Sequence, residues 1–403
     1  MKTLFKLLLF IPVAFLTSCS NDDDTVLVDN PFGDTKIYQL ASVADPSISG
    51  TATFTENTNG STTVELQLSG TPSGGMHPAH IHFNTAAETG AIAITLETVN
   101  GDTGYSSTNV TALNEDQGGA LITYDELLGF DGYINVHLSA DDLGTLVAQG
   151  DIGQNELTGT SIVYDLATAD VPGINGTATF SERVNGEALA TIALDGTFDT
   201  DTHPGHIHMN TATETGAIAF TFNPVDGATG MSKTNVSALD DNTSFGYTNI
   251  LDYDGYINIH LSADDLDVLV AQGDIGQNDL TGNSIAYDLA TVDVPGITGT
   301  ATFFERNNGE ALAQLSLIGT PNGGMHPAHI HMGSVATAPG DILFTFTPVD
   351  GLTGKSETNV SALDDDSPFG YGDVLTVDGY LNVHLSADDL GTLVAQGNIG
   401  ANL

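Results

Sequence analysis

Basic residues, cysteine and tryptophan are scarce or missing in this sequence of 403 residues. It contains 7 lysines and arginines against 52 aspartates and glutamates, one cysteine and no tryptophan. So negative a field repels a phosphate backbone, whose counterions must be replaced by cationic side chains, and nucleic-acid binding is therefore excluded. One cysteine allows no intrachain disulfide, so the domains must be stabilised by core packing alone.

The excess of acidic residues has two interpretations. Clusters such as Asp364-Asp365-Asp366 could bind divalent cations, or they could form a well-hydrated, soluble surface. We favour the hydrated surface, because runs of like charge usually mark solvated faces.

The first residues have the pattern of an export signal. Lys2 and Lys6 precede an apolar stretch, Leu7–Phe15, which is too short to span a bilayer. The segment Leu16-Thr17-Ser18-Cys19 follows, and it resembles the lipobox of bacterial lipoproteins, in which the cysteine is lipidated. This resemblance implies a signal peptide over residues 1–18 and lipidation of Cys19. The alternative is an ordinary secretory signal with an incidental cysteine.

An acidic segment comes directly after Cys19. Residues 19–33 are expected to form a tether, and the run Ser20-Asn21-Asp22-Asp23-Asp24 resembles the surface-export signal of Bacteroidetes lipoproteins. The resemblance implies a protein that is lipid-anchored in the outer membrane at the cell surface. A short acidic tether could serve the periplasmic face equally well.

Internal repetition dominates the rest of the chain. Gly50-Thr51-Ala52-Thr53-Phe54 returns from Gly176 and again from Gly299, and each copy closes on a Gly-x-Ile-Gly segment. Each copy is long enough for an independent domain, and the joints between copies are short. We therefore expect three domains that sit close together, over residues 34–157, 158–281 and 282–403.

Short strands and tight turns are predicted within each copy. Thr51–Glu56 and Thr63–Ser69 flank Asn59-Gly60, a dipeptide typical of hairpins because both residues tolerate positive φ. Apolar and polar residues alternate along the second of these strands, which indicates one buried face. The polar stretch 100–117 has few strand signals and is expected to form a long loop with a short helical turn. This texture predicts an all-β protein of three tandem antiparallel β-sandwiches.

All 12 histidines belong to one four-point pattern, which occurs once in each copy. In the first copy His80 and His82 share one face of a strand, since residues two apart point the same way. In a later strand, Val136 and Leu138 belong to the predicted core face, which leaves His137 on the opposite face. If these two strands are neighbours, three imidazoles converge on one point, as Cu(II) or Zn(II) requires.

Copper or zinc is thus the candidate cofactor, and each copy supplies three candidate ligands. The alternative is a network of histidine hydrogen bonds that only fixes the edge of the sandwich. The predicted ligands are His80, His82, His137, His206, His208, His260, His329, His331 and His384.

The remaining candidate residues are expected to support the site. One histidine in each copy precedes a proline; it is the weakest candidate ligand, and a structural role is predicted for His77, His203 and His326. Acidic residues near the turn after the last histidine are candidates for supporting the site or capping the turn, namely Asp141, Asp265 and Asp388.

The third copy differs just after its His-x-His pair. Gly333-Ser334 stands where the first copy has Asn84-Thr85. If these residues support the histidines, the third site should differ in affinity or access.

The repeat unit resembles the CHRD domain, a module named after chordin and also found in bacterial secreted proteins. The resemblance covers nearly all of residues 34–403, through the His-Pro-x-His-Ile-His segment, the Gly-Tyr-x-Asn-x-His strand and the closing Gly-x-Ile-Gly. It implies an extracellular module that contacts a partner.

A more distant likeness is to copper/zinc superoxide dismutase, another β-sandwich. It implies a Greek-key-like sandwich, copper ligands at His80, His82 and His137, and a non-ligand role for His77. No histidines remain for that family's bridging and zinc-binding positions, and neither its disulfide nor its guiding arginine has a counterpart. The likeness therefore implies a fold and a single-metal site rather than a dismutase.

Three functions follow from these observations. The leading hypothesis is a surface-anchored, non-enzymatic protein that holds copper or zinc for scavenging or storage. The second is a structural or adhesive protein whose histidines are purely structural and whose partner is an extracellular protein or polysaccharide. The third, a dismutase-like metal redox enzyme, is disfavoured because the negative field repels the superoxide anion.

Overall fold

A computed structural model describes residues 33–197 and 202–402. The predicted signal peptide, Cys19 and nearly all of the predicted tether lie outside the described residues. The described chain is all-β and antiparallel, which confirms the predicted fold class. Its buried apolar residues form three separate core clusters, one in each repeat. No helix in the described part of the chain is long and apolar enough to cross a membrane.

The first repeat closes into a barrel whose strand order is β1-β2-β3-β6-β5-β4-β7-β8. The β3–β6 and β4–β7 pairings join strands that are not consecutive, which is a Greek-key arrangement. The predicted hairpin is present, and Gly60 has a φ of 81° at its turn. The elements are β1 Thr35–Ser42, β2 Ser49–Glu56, β3 Thr62–Ser69, β4 Met76–Phe83, β5 Ile92–Asn100, β6 Tyr105–Val110, α1 Tyr124–Leu128, β7 Asp131–Ser139 and β8 Asp142–Gly153.

The second repeat has the same neighbours, but two of its strands are interrupted. The strand equivalent to β4 is divided at Pro204, and its partner is divided between Thr221 and Val225. The result is an open ten-stranded sheet instead of a closed barrel. The elements are β9 Leu157–Thr168, β10 Asn175–Arg183, β11 Ala188–Asp195, β12 Thr202–His203, β13 Gly205–Met209, β14 Ile218–Thr221, β15 Val225–Asp226, β16 Met231–Val236, α2 Tyr247–Leu251, β17 Asp254–Ser262 and β18 Asp265–Gly276.

The third repeat is again a closed barrel with the strand order of the first. Its elements are β19 Leu280–Thr291, β20 Thr298–Arg306, β21 Ala311–Ile318, β22 Met325–Met332, β23 Ile342–Asp350, β24 Lys355–Val360, α3 Tyr371–Val374, β25 Asp378–Ser386 and β26 Asp389–Gly400.

Two sequence-based expectations are wrong. The stretch 100–117 is not one long loop, because Tyr105–Val110 forms β6 and pairs with β3 along its length. Ser106 and Val110 face inward there, so backbone pairing and alternation outweigh a polar composition. Leu138 does not belong to the core face: it is 38% exposed, and it lies beside a shift of the β7–β8 register at His137.

Consecutive repeats are joined through a buried arginine. The side chain of Arg183, at the end of β10, is fully buried, and its Nη1 lies 2.7 Å from Asp151 Oδ2 of the first repeat. Nη1 also donates to the carbonyl of Asn155, at 2.5 Å. Arg306 repeats the arrangement at the second joint, with 2.7 Å between its Nη1 and Asp274 Oδ2.

Candidate metal centre

The two histidine-bearing strands of the first repeat are direct neighbours. β4 pairs with β7, which sets His80 opposite Asn135 and His82 opposite Tyr133. Alternation puts Ile81, between the two histidines, fully into the core. The imidazoles consequently lie on the outer face of the barrel, where His82 and His137 are nevertheless 8% and 6% exposed.

The nine predicted ligands lie together in three triads. In each triad, one nitrogen from every ring lies within 4.8 Å of the other two. His80 Nδ1 is 3.1 Å from His137 Nε2, and His206 Nδ1 is 3.0 Å from His260 Nε2. Two nitrogens bound to one tetrahedral zinc at 2.0–2.1 Å would be about 3.4 Å apart. These contacts are hydrogen bonds between the rings, and a shared metal ion would require the nitrogens to separate by only a few tenths of an ångström.

Backbone carbonyls fix the tautomers of two histidines in each triad. His82 Nδ1 is 3.0 Å from the carbonyl oxygen of Gly90, and His137 Nδ1 is 2.7 Å from that of Leu143. A carbonyl only accepts, so each Nδ1 carries the proton and each Nε2 presents its lone pair to the centre of the triad. Oriented imidazoles with an outer N–H bond are typical of metal sites. The carbonyls of Gly216, Leu266, Gly340 and Leu390 repeat both contacts.

The third triad shows most directly what these nitrogens lack. His329 Nδ1, His331 Nε2 and His384 Nε2 are all buried, and none has a hydrogen-bond partner. They are the same three atoms that face one another in the triad. Buried polar atoms are nearly always paired, since an unpaired one costs its full desolvation energy. A cation that accepts three lone pairs would satisfy all of them.

The electrostatics of the triads favour neutral imidazoles. Burial, together with the neighbouring His137 and His82, lowers the pKa of His80 to about 4. Burial likewise lowers the pKa values of His206 and His329, with smaller contributions from the other rings of their triads. Neutral imidazole is the form that binds a metal, so the ligands are ready at neutral pH.

One acidic position distinguishes the triads. Asp240 and Asp364 act to raise the pKa values of His206 and His329 respectively. The first repeat has Asn114 at this position, where its Oδ1 accepts from the N–H of Thr95 at 3.0 Å. The first triad therefore lacks a nearby negative charge that the other two have.

The three histidines that precede prolines lie outside the triads. His77 is 1% exposed, and its Nδ1 donates to the carbonyl of His137 at 3.2 Å. His203 and His326 make the same contact with His260 and His384, also at 3.2 Å. Each therefore contacts the backbone of a candidate ligand, and its structural role stays a prediction.

The predicted acidic residues do not contact the triads. Asp141, Asp265 and Asp388 are exposed near the β7–β8 turn or its equivalents, and the carbonyl of the nearby leucine holds the histidine instead. In the Asp364–Asp366 cluster, Asp364 accepts from Thr345 of β23, whereas Asp365 accepts from Ser367 within a local turn. Among the described residues, the three histidine triads are the groups that could hold a metal.

The loop after the His-x-His pair does differ in the third repeat. Asn84 and Asn210 have a φ of 67°, a left-handed conformation that Gly333 adopts at 87°. The loop of the third repeat is one residue longer, yet the carbonyl of Gly340 still lies 2.9 Å from His331 Nδ1. The supporting contact is thus kept while the loop that carries it changes.

Sequence reasoning missed a tyrosine that supports each site. The ring of Tyr133 stacks on His82 with 5.0 Å between centroids, and its hydroxyl accepts from the N–H of Gly90. Tyr256 and Tyr380 repeat the stacking on His208 and His331. The repeated Gly-Tyr-x-Asn-x-His segment carried this signal, because it places the tyrosine four residues before the last ligand.

Fold and site together define a repeated all-β domain with a three-histidine centre on its outer face. Residues 38–147, nearly the whole first repeat, match the family model of the CHRD domain. Searches of curated proteins and of solved structures returned no significant match. The likeness to superoxide dismutase consequently has no support from these comparisons.

Proposed function

We propose that this chain is a non-enzymatic extracellular protein that binds copper or zinc at three histidine triads. The carrying observation is the set of three buried, unpartnered nitrogens of His329, His331 and His384. Imidazole suits both metals, and Cu(II) binds more tightly than Zn(II) in a site of given ligands. The formal net charge of −45 adds a field that concentrates cations near the protein.

The match of the first repeat to the CHRD domain supports binding rather than catalysis. The positions of the arginines add a second argument, because a dismutase-like reaction would need to attract an anion. The chain has two arginines, and both are buried at the joints between repeats. Scavenging or storage of the metal requires neither anion attraction nor a substrate pocket.

Metal binding by triad variants tests the proposal. The metal-free protein should bind Cu(II) or Zn(II), and the H329A/H331A variant should lose one equivalent of metal per chain. The matched control is D388N, which changes an exposed residue near the same turn that does not contact the triad and should keep that equivalent. If H329A/H331A folds normally and binds as much metal as the unchanged protein, the third triad is not a metal site.

A structural or adhesive role is the second candidate, and the buried arginines at the joints favour it. Rigidly joined domains would hold an extracellular binding surface at a fixed distance from the cell. In this case the protein should bind no metal, either before or after His80 and His82 are replaced. Capture of a defined extracellular protein or polysaccharide by that metal-free variant would then support adhesion.

The cellular location is part of the proposal. The lipobox-like Leu16–Cys19 and the acidic run after it support lipidation of Cys19 and an outer-membrane anchor at the cell surface. A C19A variant should lose incorporation of labelled fatty acid and should leave the membrane fraction. Protease added to intact cells should degrade the anchored protein; protection of the protein until the outer membrane is opened would place it at the periplasmic face instead.

A further inference from the structure

The joint between two repeats is linked to the histidine triad of the repeat that precedes it. We propose that Arg183 and Arg306 are positioning residues, and that contact between domains controls the metal affinity of the first and second triads but not of the third. This inference rests on the proposed metal binding. It concerns how contact between neighbouring repeats regulates the triads.

The first step of the argument is the carboxylate of Asp151, which has two partners in two repeats. Its Oδ2 pairs with Arg183 Nη1 of the second repeat at 2.7 Å. Its Oδ1 accepts from the N–H of Ala86 in its own repeat, at 2.8 Å. The guanidinium is further held by Asn235, whose Oδ1 accepts from Nε at 2.8 Å. A buried cation with these partners fixes the orientation of the carboxylate, and the carboxylate in turn fixes the loop at Ala86.

The second step leads from that loop to the metal ligand. The loop begins after β4 and ends at Gly90, whose carbonyl accepts from His82 Nδ1 at 3.0 Å. The N–H of Gly90 donates to the hydroxyl of Tyr133, the ring that stacks on His82. Displacement of the loop would therefore move the carbonyl that sets both the tautomer and the direction of His82. Such outer contacts typically change metal affinity by about 10- to 100-fold.

The second joint has the same connection. Arg306 pairs with Asp274 Oδ2 at 2.7 Å, and Asp274 Oδ1 accepts from the N–H of Ala212 at 2.8 Å. That loop ends at Gly216, whose carbonyl lies 2.9 Å from His208 Nδ1. Two independent joints therefore connect an arginine of one repeat to a candidate ligand of the repeat before it.

The third repeat provides an internal comparison. Asn398 stands where the other repeats have Asp151 and Asp274, and its Oδ1 accepts from the N–H of Val335 at 2.8 Å. The loop contact is kept, but the charge that an arginine would need is gone. The first repeat, in turn, has Asn57 at the position of the two arginines. The charged pair thus occurs at the two joints. In the third repeat the amide of Asn398 replaces the carboxylate and supports the loop without an arginine partner.

The test measures metal affinity triad by triad in the full chain. The first background protein keeps only the first triad, because alanine replaces His206, His208, His329 and His331. The second background protein keeps only the third triad, because alanine replaces the corresponding residues of the first two repeats. Cu(II) affinity is determined by competition with a chelator of known affinity. We expect D151A and R183M to weaken the first triad about tenfold or more and to leave the third unchanged.

A rescue variant separates positioning from general damage. R183M/D151N reproduces the uncharged arrangement of the third repeat, in which an amide oxygen holds the loop. It should return the affinity of the first triad to within about threefold of the original, since the loop contact is restored without a buried charge. Loss of affinity in R183M/D151N as large as in D151A would overturn the inference.

Hydrogen exchange supplies a readout that does not depend on a binding curve. By linkage, metal at the first triad must stabilise the joint as much as the joint strengthens metal binding. The N–H groups of Ala86 and Val184, the latter bonded to the carbonyl of Glu156 across the joint, should exchange more slowly when Zn(II) is added. In H80A/H82A the slowing should disappear.

The outcomes separate this inference from the proposed function. If no triad in either background binds Cu(II), the proposed function fails. If both triads bind Cu(II), and R183M and D151A leave the first triad unchanged, metal binding stands and the coupling between joint and triad is wrong.

Discussion

Replacing Asp274 by alanine tests how strongly the buried arginines hold the repeats together. Arg306 has a fully buried side chain, and Asp274, its carboxylate partner, is 14% exposed. Removing one partner of a buried ion pair typically costs about 3–5 kcal/mol, because the other charge is left uncompensated. Asn359 Oδ1, 2.9 Å from Arg306 Nε, and the carbonyl of Asn278 remain as partners. We therefore expect D274A to cost about 3 kcal/mol, at the low end of this range.

N398A is the matched control, because Asn398 makes the same loop contact without an arginine. Its loss leaves one N–H without a partner and no buried charge, which costs about 1 kcal/mol. The assay is urea unfolding followed by circular dichroism, since urea does not screen charges as guanidinium does. D274N/R306M, which removes both charges, should be close to neutral. Equal costs for D274A and N398A would refute the argument from the buried charge.

Three further predictions concern the first repeat. The pKa of His80 is lowered to about 4 in the folded protein, so this imidazole stays neutral there at pH values below the ordinary histidine pKa of about 6.5. Between these two values the unfolded chain therefore binds more protons than the folded protein does. The metal-free protein should consequently lose stability as the pH falls from about 6.5 through 4. H80Q should unfold in urea with a smaller pH dependence, and an unchanged slope would contradict this. N114D should introduce the carboxylate that the other repeats have. It should raise the pKa of His80, measured by NMR titration, and tighten Zn(II) binding several-fold. An unchanged pKa of His80 would be evidence against the electrostatic argument. G75A should destabilise the first repeat by about 1–3 kcal/mol, because the new Cβ would lie 2.6 Å from His77 Nε2. G144A, whose Cβ would meet nothing closer than 3.7 Å, is the control, and equal stability of the two variants would count against this packing argument.

The grouping of the histidines could be predicted from the sequence because strand alternation is a local property. His80 and His82 share a face in any strand, and His137 follows from the apolar residues beside it. The register could not be predicted at its irregularities, and Leu138 is exposed beside the shift at His137. β6 was missed because its stability comes from pairing with a distant strand rather than from its own polar residues.

The supporting contacts of the site were less accessible to sequence reasoning. Backbone carbonyls such as those of Gly90 and Leu143 have no side-chain signature, so the sequence points to the acidic residues nearby instead. The link between Asp151 and Arg183 joins two repeats, and it becomes visible only when their packing is known. The sequence contains one clue to this link. Asn57 stands where the later repeats have arginine, and Asn398 stands where the earlier repeats have aspartate.

The metal stoichiometry of the full chain, measured by titration and by elemental analysis, tests the central claim most directly. Three triads predict three equivalents of Cu(II) or Zn(II) per chain, with copper giving an electron paramagnetic resonance signal of nitrogen ligation. H82A, H208A and H331A together should abolish this binding, whereas D141N, D265N and D388N, at exposed positions that do not contact the triads, should not. A folded protein that binds no copper or zinc, or one that binds them equally well after the first set of substitutions, would contradict the account.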